Sequence, residues 1–128
     1  MFFFYFVVVP EPVAFYPLNA RYKAAEKENR QPKGILGDVV ITKGPYNEPG
    51  GAYMFHDNPR SYIEFPNKGG LDTQFSITLM CWVQPGGQNG ALFDYGFVVV
   101  QMRISGAVSM GIEEGKLSFL ITPRSILR

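Results

Sequence analysis

Phe75-Ser76-Ile77-Thr78-Leu79-Met80-Cys81-Trp82-Val83 is the stretch whose reading decides the fold class of this chain. Phe75, Ile77, Leu79, Cys81 and Val83 alternate with Ser76, Thr78, Met80 and Trp82, which is the period of a β-strand with one face turned to a core. The second face is only partly polar, so Met80 and Trp82 are expected to pack as well, as in a central strand of a layered all-β domain. Upstream, Gly51 to Phe55 and Ser61 to Phe65 are short aromatic segments separated by the turn-forming His56-Asp57-Asn58-Pro59-Arg60. The three segments read as neighbouring strands of one sheet system.

Working outward, Ile35-Leu36 and Val39-Val40-Ile41 predict short strands around Gly37-Asp38, and Lys43 to Gly51 predicts a loop. Its glycines do not form a phosphate cradle, because the Gly-rich motif ending in Lys and Ser or Thr is missing. Downstream, Gln84 to Gly90 is a turn region and Ala91 to Tyr95 a strand. Phe97 to Met110 has a blurred apolar pattern, Ile112 to Lys116 a turn, and Leu117 to Ile121 a last strand before a tail at 123–128. Asn19 to Lys33 is the charge-rich run. Ala24-Ala25 permits a short helix there and Glu26 can reach Arg30, but without an apolar stripe the run reads as a solvated loop or surface helix.

The first twelve residues differ in composition. Phe2 to Val9 is apolar and is followed by Pro10-Glu11-Pro12. The run is too short to span a bilayer as a helix, which takes about 20 residues. Three readings stand: an atypical or truncated secretion signal, lacking a positive start and an Ala-x-Ala site; a first β-strand; or an artefactual start.

Several pieces in order resemble the opening half of a laminin-G-like domain, of the concanavalin A-like class of jelly-roll sandwiches. They are Tyr16-Pro17-Leu18, Pro49 to Phe55, Ser61 to Pro66, Gly70-Leu71-Asp72, Phe75 to Thr78, Cys81 to Pro85 and Leu92 to Gly96. The resemblance covers Val13 to Thr122 and is strongest from Pro49 to Gly96. It implies an all-β, two-sheet antiparallel jelly-roll sandwich, here only partial, occupying 13–122. Such domains normally continue with further strands, so a fragment, a shortened gene model and a compact variant all remain open. The resemblance also implies a secreted, extracellular binding or structural role, with a glycan or an extracellular protein as partner.

Composition agrees with one globular domain: 128 residues, 46% hydrophobic and 15% aromatic. A net charge of +1 gives no electrostatic reason for nucleic acid as a partner. Candidate chemistry is sparse. One His and one Cys exclude the usual zinc clusters. His56 beside Asp57 is the one histidine–acid pair in sequence, and Ser61 lacks a Gly-x-Ser-x-Gly setting, so surface turn residues are expected. Glu113-Glu114 would point to opposite faces if extended, which leaves the alternative, a partial or remnant carbohydrate-active enzyme, without a carboxyl pair. Calcium is the one metal with a foothold, at Asp57 and Asn58, with Asp72 and Asp94 as distant contributors. Tyr46, Tyr62 and Tyr95, with Tyr53 beside them, are the candidate ligand-stacking aromatics. Cys81 and Trp82 are expected to be structural, in the core face and the body of the central strand.

Overall fold

The computed structural model describes residues 10–72, 76–95, 99–100, 103–104, 107–122 and 125–126. The alternatives for the first nine residues, and the placement of Phe75, Phe97 and Val98, lie outside them. The described residues are all-β: antiparallel sheets of two or three strands, no helix and no closed barrel. The chain divides after Met80 into two compact units.

In the first unit, β1 (Ile35–Leu36) pairs with β4 (Ile63–Glu64), and β2 (Val39–Thr42) pairs with β3 (Ala52–Phe55). β2 is a run of β-branched residues, stiff at χ1 and suited to a pleated surface. One continuous stretch of chain serves both ladders. Gly37 N–H and Asp38 N–H donate to Tyr62 C=O and Arg60 C=O, extending the β1–β4 pairing, and Val39 N–H then turns back to Gly37 C=O at 2.9 Å. This tight three-residue turn at Asp38 redirects the chain from β4 to β3. Gly37 must be glycine at the switch, because a Cβ there would collide with Arg60 C=O and lie 3.0 Å from the Tyr62 ring.

The charge-rich run forms turns instead of a helix. Lys23 and Asn29 both take positive φ, 53° and 57°, which interrupts any helical continuation. The Asn19 side chain accepts the N–H groups of Arg21 and Tyr22, closing the first of these turns. The run is not simply solvated either. Ala24 is fully buried, Gly34 lies against it and against Phe65, and Glu26 is only 2% exposed. Tyr16 stacks on Phe65 at 4.3 Å between ring centroids and donates its hydroxyl to Pro32 C=O at 2.9 Å.

In the second unit, β5 (Gly90–Tyr95), β8 (Ala107–Glu113) and β9 (Lys116–Thr122) form an antiparallel sheet in the order β5-β8-β9, with a register shift between Ala91 and Phe93. Glu114 and Gly115 join β8 to β9 with φ of 50° and 74°, the pair of positive values that a two-residue hairpin turn needs to match strand twist. Register gives the sheet an apolar face, Phe93 beside Met110 beside Phe119 and Tyr95 beside Val108 beside Ile121. The opposite face carries Asp94 beside Ser109, joined by a 2.9 Å hydrogen bond. β6 (Val99–Val100), β7 (Arg103–Ile104) and β10 (Ser125–Ile126) make a second small sheet in the order β10-β7-β6.

Three expectations need correction. The 76–83 stretch belongs to no strand ladder among the described residues. Its alternation is visible only as far as Leu79: Met80 is 91% exposed, Trp82 80%, and Cys81 is exposed instead of lying on a core face. The segments at 52–55 and 63–64 are not neighbours in one sheet; each pairs with a strand from 35–42, whose β-branched content competes better for the ladder. β8, the middle strand of its sheet, begins in the blurred region before Met110 and runs on to Glu113, so the turn expected over Ile112 to Lys116 narrows to Glu114 and Gly115.

Candidate functional site

The sole histidine does not face its sequence neighbour Asp57. The β2–β3 register brings Val39 opposite Phe55, and so carries Asp38 and His56 past the same end of the hairpin. His56 Nε2 lies 3.9 Å from Asp38 Oδ1, too long for a direct hydrogen bond. Asn58 Nδ2 donates to the other oxygen, Asp38 Oδ2, at 3.1 Å, while Asn58 Oδ1 accepts Arg60 N–H at 2.8 Å. Ser61 Oγ accepts His56 N–H at 2.7 Å and donates to Asp38 C=O at 2.6 Å.

Serine, histidine and aspartate therefore converge, but with the wrong atoms. A nucleophilic serine needs its proton held by an imidazole nitrogen. Here the hydroxyl proton is committed to a backbone carbonyl, and its lone pair is held by the backbone of His56, not the ring. The cluster closes the end of a hairpin. Asp38 was the partner missed by sequence reading, because only the strand register brings it to His56.

Three of the four calcium candidates serve other groups. Both polar ends of the Asn58 amide are occupied as described, Asp72 Oδ1 accepts the Asn67 amide at 2.6 Å, and Asp94 serves Ser109 in the second unit. Among the described residues no group of three or more His, Cys, Asp or Glu side chains is arranged to hold a metal ion. Asp57 is exposed in the turn after His56.

The aromatic candidates fall in different places. Tyr62 adjoins β4 and covers Gly37, and Tyr95 is half-buried at the end of β5 opposite Val108. Tyr53 is half-buried in β3. Tyr46 is 81% exposed in the loop between β2 and β3, at the hairpin end remote from Asp38 and His56. Glu48 builds that loop: its carboxylate accepts Tyr46 N–H at 2.9 Å, its carbonyl accepts Gly44 N–H, and Asn47, at φ 64°, donates to Gly44 C=O. The loop is anchored from below where Ala20 N–H donates to Gly50 C=O at 2.8 Å.

Two shallow open grooves carry charge. One, in the first unit, is bordered by Glu11, Phe15, Lys27 and Arg30; Lys27 sits 5.7 Å above the Phe15 ring, and the Arg30 guanidinium is shared between Glu11 at 3.7 Å and Glu26 at 3.9 Å. With both carboxylates drawing on it, Arg30 is a poor candidate for an incoming anion. The other groove is formed by Asn89, Glu113, Glu114 and Lys116 at the β8–β9 turn. The turn thus brings Glu113 and Glu114 to one rim, where an extended backbone would have parted them.

Glu26 is the one buried ionisable side chain among the described residues. Oε1 accepts Phe15 N–H at 3.0 Å, and Oε2 accepts Glu28 N–H at 3.0 Å and Arg30 N–H at 2.8 Å. Burial opposes ionisation, but the backbone N–H of Arg30, then those of Phe15 and Glu28, and finally the Arg30 guanidinium outweigh it and hold the carboxyl below its ordinary value. Three backbone N–H groups take up most of its acceptor capacity, which makes it a structural anchor. Comparison with family models, curated proteins and solved structures returns no match to this chain.

Proposed function

We propose that this chain is a noncatalytic extracellular recognition or structural module of the laminin-G-like kind, binding a glycan or a protein in a matrix setting. The observation that supports this best is the presentation of Tyr46: a large exposed ring on a loop whose backbone is fixed by Glu48, Asn47 and the Ala20–Gly50 hydrogen bond. A fixed aromatic face binds at low entropic cost, by stacking on a sugar ring or by filling a protein pocket. The Ser61 hydroxyl, committed to backbone, supports the noncatalytic side of the reading. Calcium is an optional addition at Asp57 and Asn58. The test is binding of the folded, monomeric chain to arrays of glycans and of extracellular proteins, with Tyr46→Ala as comparison. Saturable binding that Tyr46→Ala abolishes supports the module; no saturable binding on either array overturns the recognition role.

The alternative, a partial carbohydrate-active enzyme, draws on the rim shared by Glu113 and Glu114. Among the described residues that groove is bordered by polar and charged side chains, with no apolar side chain of the kind that assigns acid and base roles to two carboxyls. Sugar release from polysaccharides that is lost in Glu113→Gln or Glu114→Gln would favour the enzyme.

A further inference from the structure

Asn89 is the one asparagine in the chain followed by glycine, and it sits where the 84–90 turn region enters β5. Both residues are exposed. No heavy atom lies within 4 Å of where a Gly90 Cβ would be, so the residue that follows the amide has neither a side chain of its own nor packing on that side to crowd it. Asn89 Oδ1 accepts Glu114 N–H at 2.9 Å, and the neighbouring Gln88 C=O accepts Gly115 N–H at 2.8 Å, fixing the amide against the hairpin turn.

From this geometry we infer that Asn89–Gly90 is a spontaneous modification site, at which the folded chain converts its own asparagine to aspartate and isoaspartate. The Gly90 backbone nitrogen forms a bond to Asn89 Cγ, the Cγ–Nδ2 bond breaks, and the proton from the Gly90 nitrogen leaves with ammonia. Water then opens the resulting succinimide at either carbonyl, with no redox partner. The Glu114 N–H is already on the oxygen that takes up negative charge in the tetrahedral intermediate, the position of an oxyanion donor. The product changes the β8–β9 rim twice over. A third carboxylate joins Glu113 and Glu114 beside Lys116, and the isoaspartyl form lengthens the main chain by a methylene just before the first ladder pair, Gly90 with Ile112.

The experiment ages the folded chain in mildly alkaline buffer and maps peptides for the gain of one mass unit and for isoaspartate by enzymatic methylation. Asn89 is expected to react ahead of the other asparagines. Gly90→Ala, for which the structure has room, is expected to fold and to slow the reaction about tenfold or more by crowding the attacking nitrogen. Modification spread evenly over the asparagines, an undiminished rate in Gly90→Ala, or an Asn89 that stays intact in the folded chain and reacts only in denaturant would each overturn the assignment.

Discussion

Glu26 and Phe15 are joined by a 3.0 Å hydrogen bond from the Phe15 N–H to the Glu26 carboxylate, and Lys27 N–H returns to Phe15 C=O at 2.9 Å. This pair of contacts ties the extended segment before Leu18 to the turns of the charge-rich run, so that one carboxylate organises backbone from two stretches of chain. Glu26→Gln keeps the shape but places an NH₂ where either Oε1 or Oε2 now accepts N–H groups, leaving a donor facing a donor. The expected result is a fall of several degrees in melting temperature followed by circular dichroism, with Glu26→Ala lower still. An unchanged melting temperature in both variants would remove Glu26 from this role.

The same carboxylate sets an acid limit. Its folded value lies below the ordinary one near 4.5, so the unfolded chain binds its proton more readily. Its contribution is complete above that ordinary value and is lost as pH falls through the lower folded value. Urea midpoints measured across the acid range should therefore decline from about pH 4.5 downward, and the decline should flatten in Glu26→Gln.

Tyr16 sets the corresponding limit in alkali. Burial first, and the Glu26 charge second, raise its phenol above the ordinary value of 10.0. The stabilisation is complete below that value and disappears as pH rises through the folded one. Tyr16→Phe should cost about 1 kcal/mol at neutral pH through the lost bond to Pro32 C=O, and should remove this part of the alkaline dependence. Denaturant midpoints of wild type and variant, measured at neutral pH and across the alkaline range, check both.

Gly37 and Gly86 make a contrasting pair. A Cβ at Gly37 meets Arg60 C=O and the Tyr62 ring, whereas nothing lies within 4 Å of one at Gly86. Gly37→Ala should destabilise by about 1–3 kcal/mol through forced backbone movement. Gly86→Ala should stay within about 0.5 kcal/mol of wild type. Equal denaturant midpoints for the two variants would contradict the switch at Asp38.

Ser61→Ala removes a hydroxyl that accepts from His56 N–H and donates to Asp38 C=O. A stability loss of about 1–2 kcal/mol is expected from the two bonds. Ester substrates should turn over at the same background rate with either protein. A variant-sensitive rate would reinstate Ser61 as a nucleophile.

Strands whose residues favour extension and whose ends carry turn residues were legible: β2 and β3 around the Lys43–Gly51 loop, β5 after Gly90, and β9 after Glu114-Gly115. β8 was not, because Ala107, Ser109 and Gly111 dilute its pattern, and its position follows from having β5 and β9 on either side. Glu26 sits among Lys27, Glu28 and Arg30 in a run that looks solvated; its burial is decided by N–H groups of the backbone, which have no letter in a sequence. The 76–83 stretch shows the reverse. Its alternation is the cleanest in the chain, yet periodicity describes a face and does not supply a neighbouring strand. The exposure of Tyr46 followed from its loop, while the Asp38–His56 approach needed the register.

β9 is the outer strand of its sheet among the described residues, with Leu117, Phe119 and Ile121 exposed on one face and Leu120 exposed on the other. It contains no proline, and Lys116 is its one charge. Strands of this kind are templates for pairing with another chain. Sample concentration therefore becomes an experimental variable for this protein: a ligand signal that changes with protein concentration would point to edge-to-edge pairing through β9.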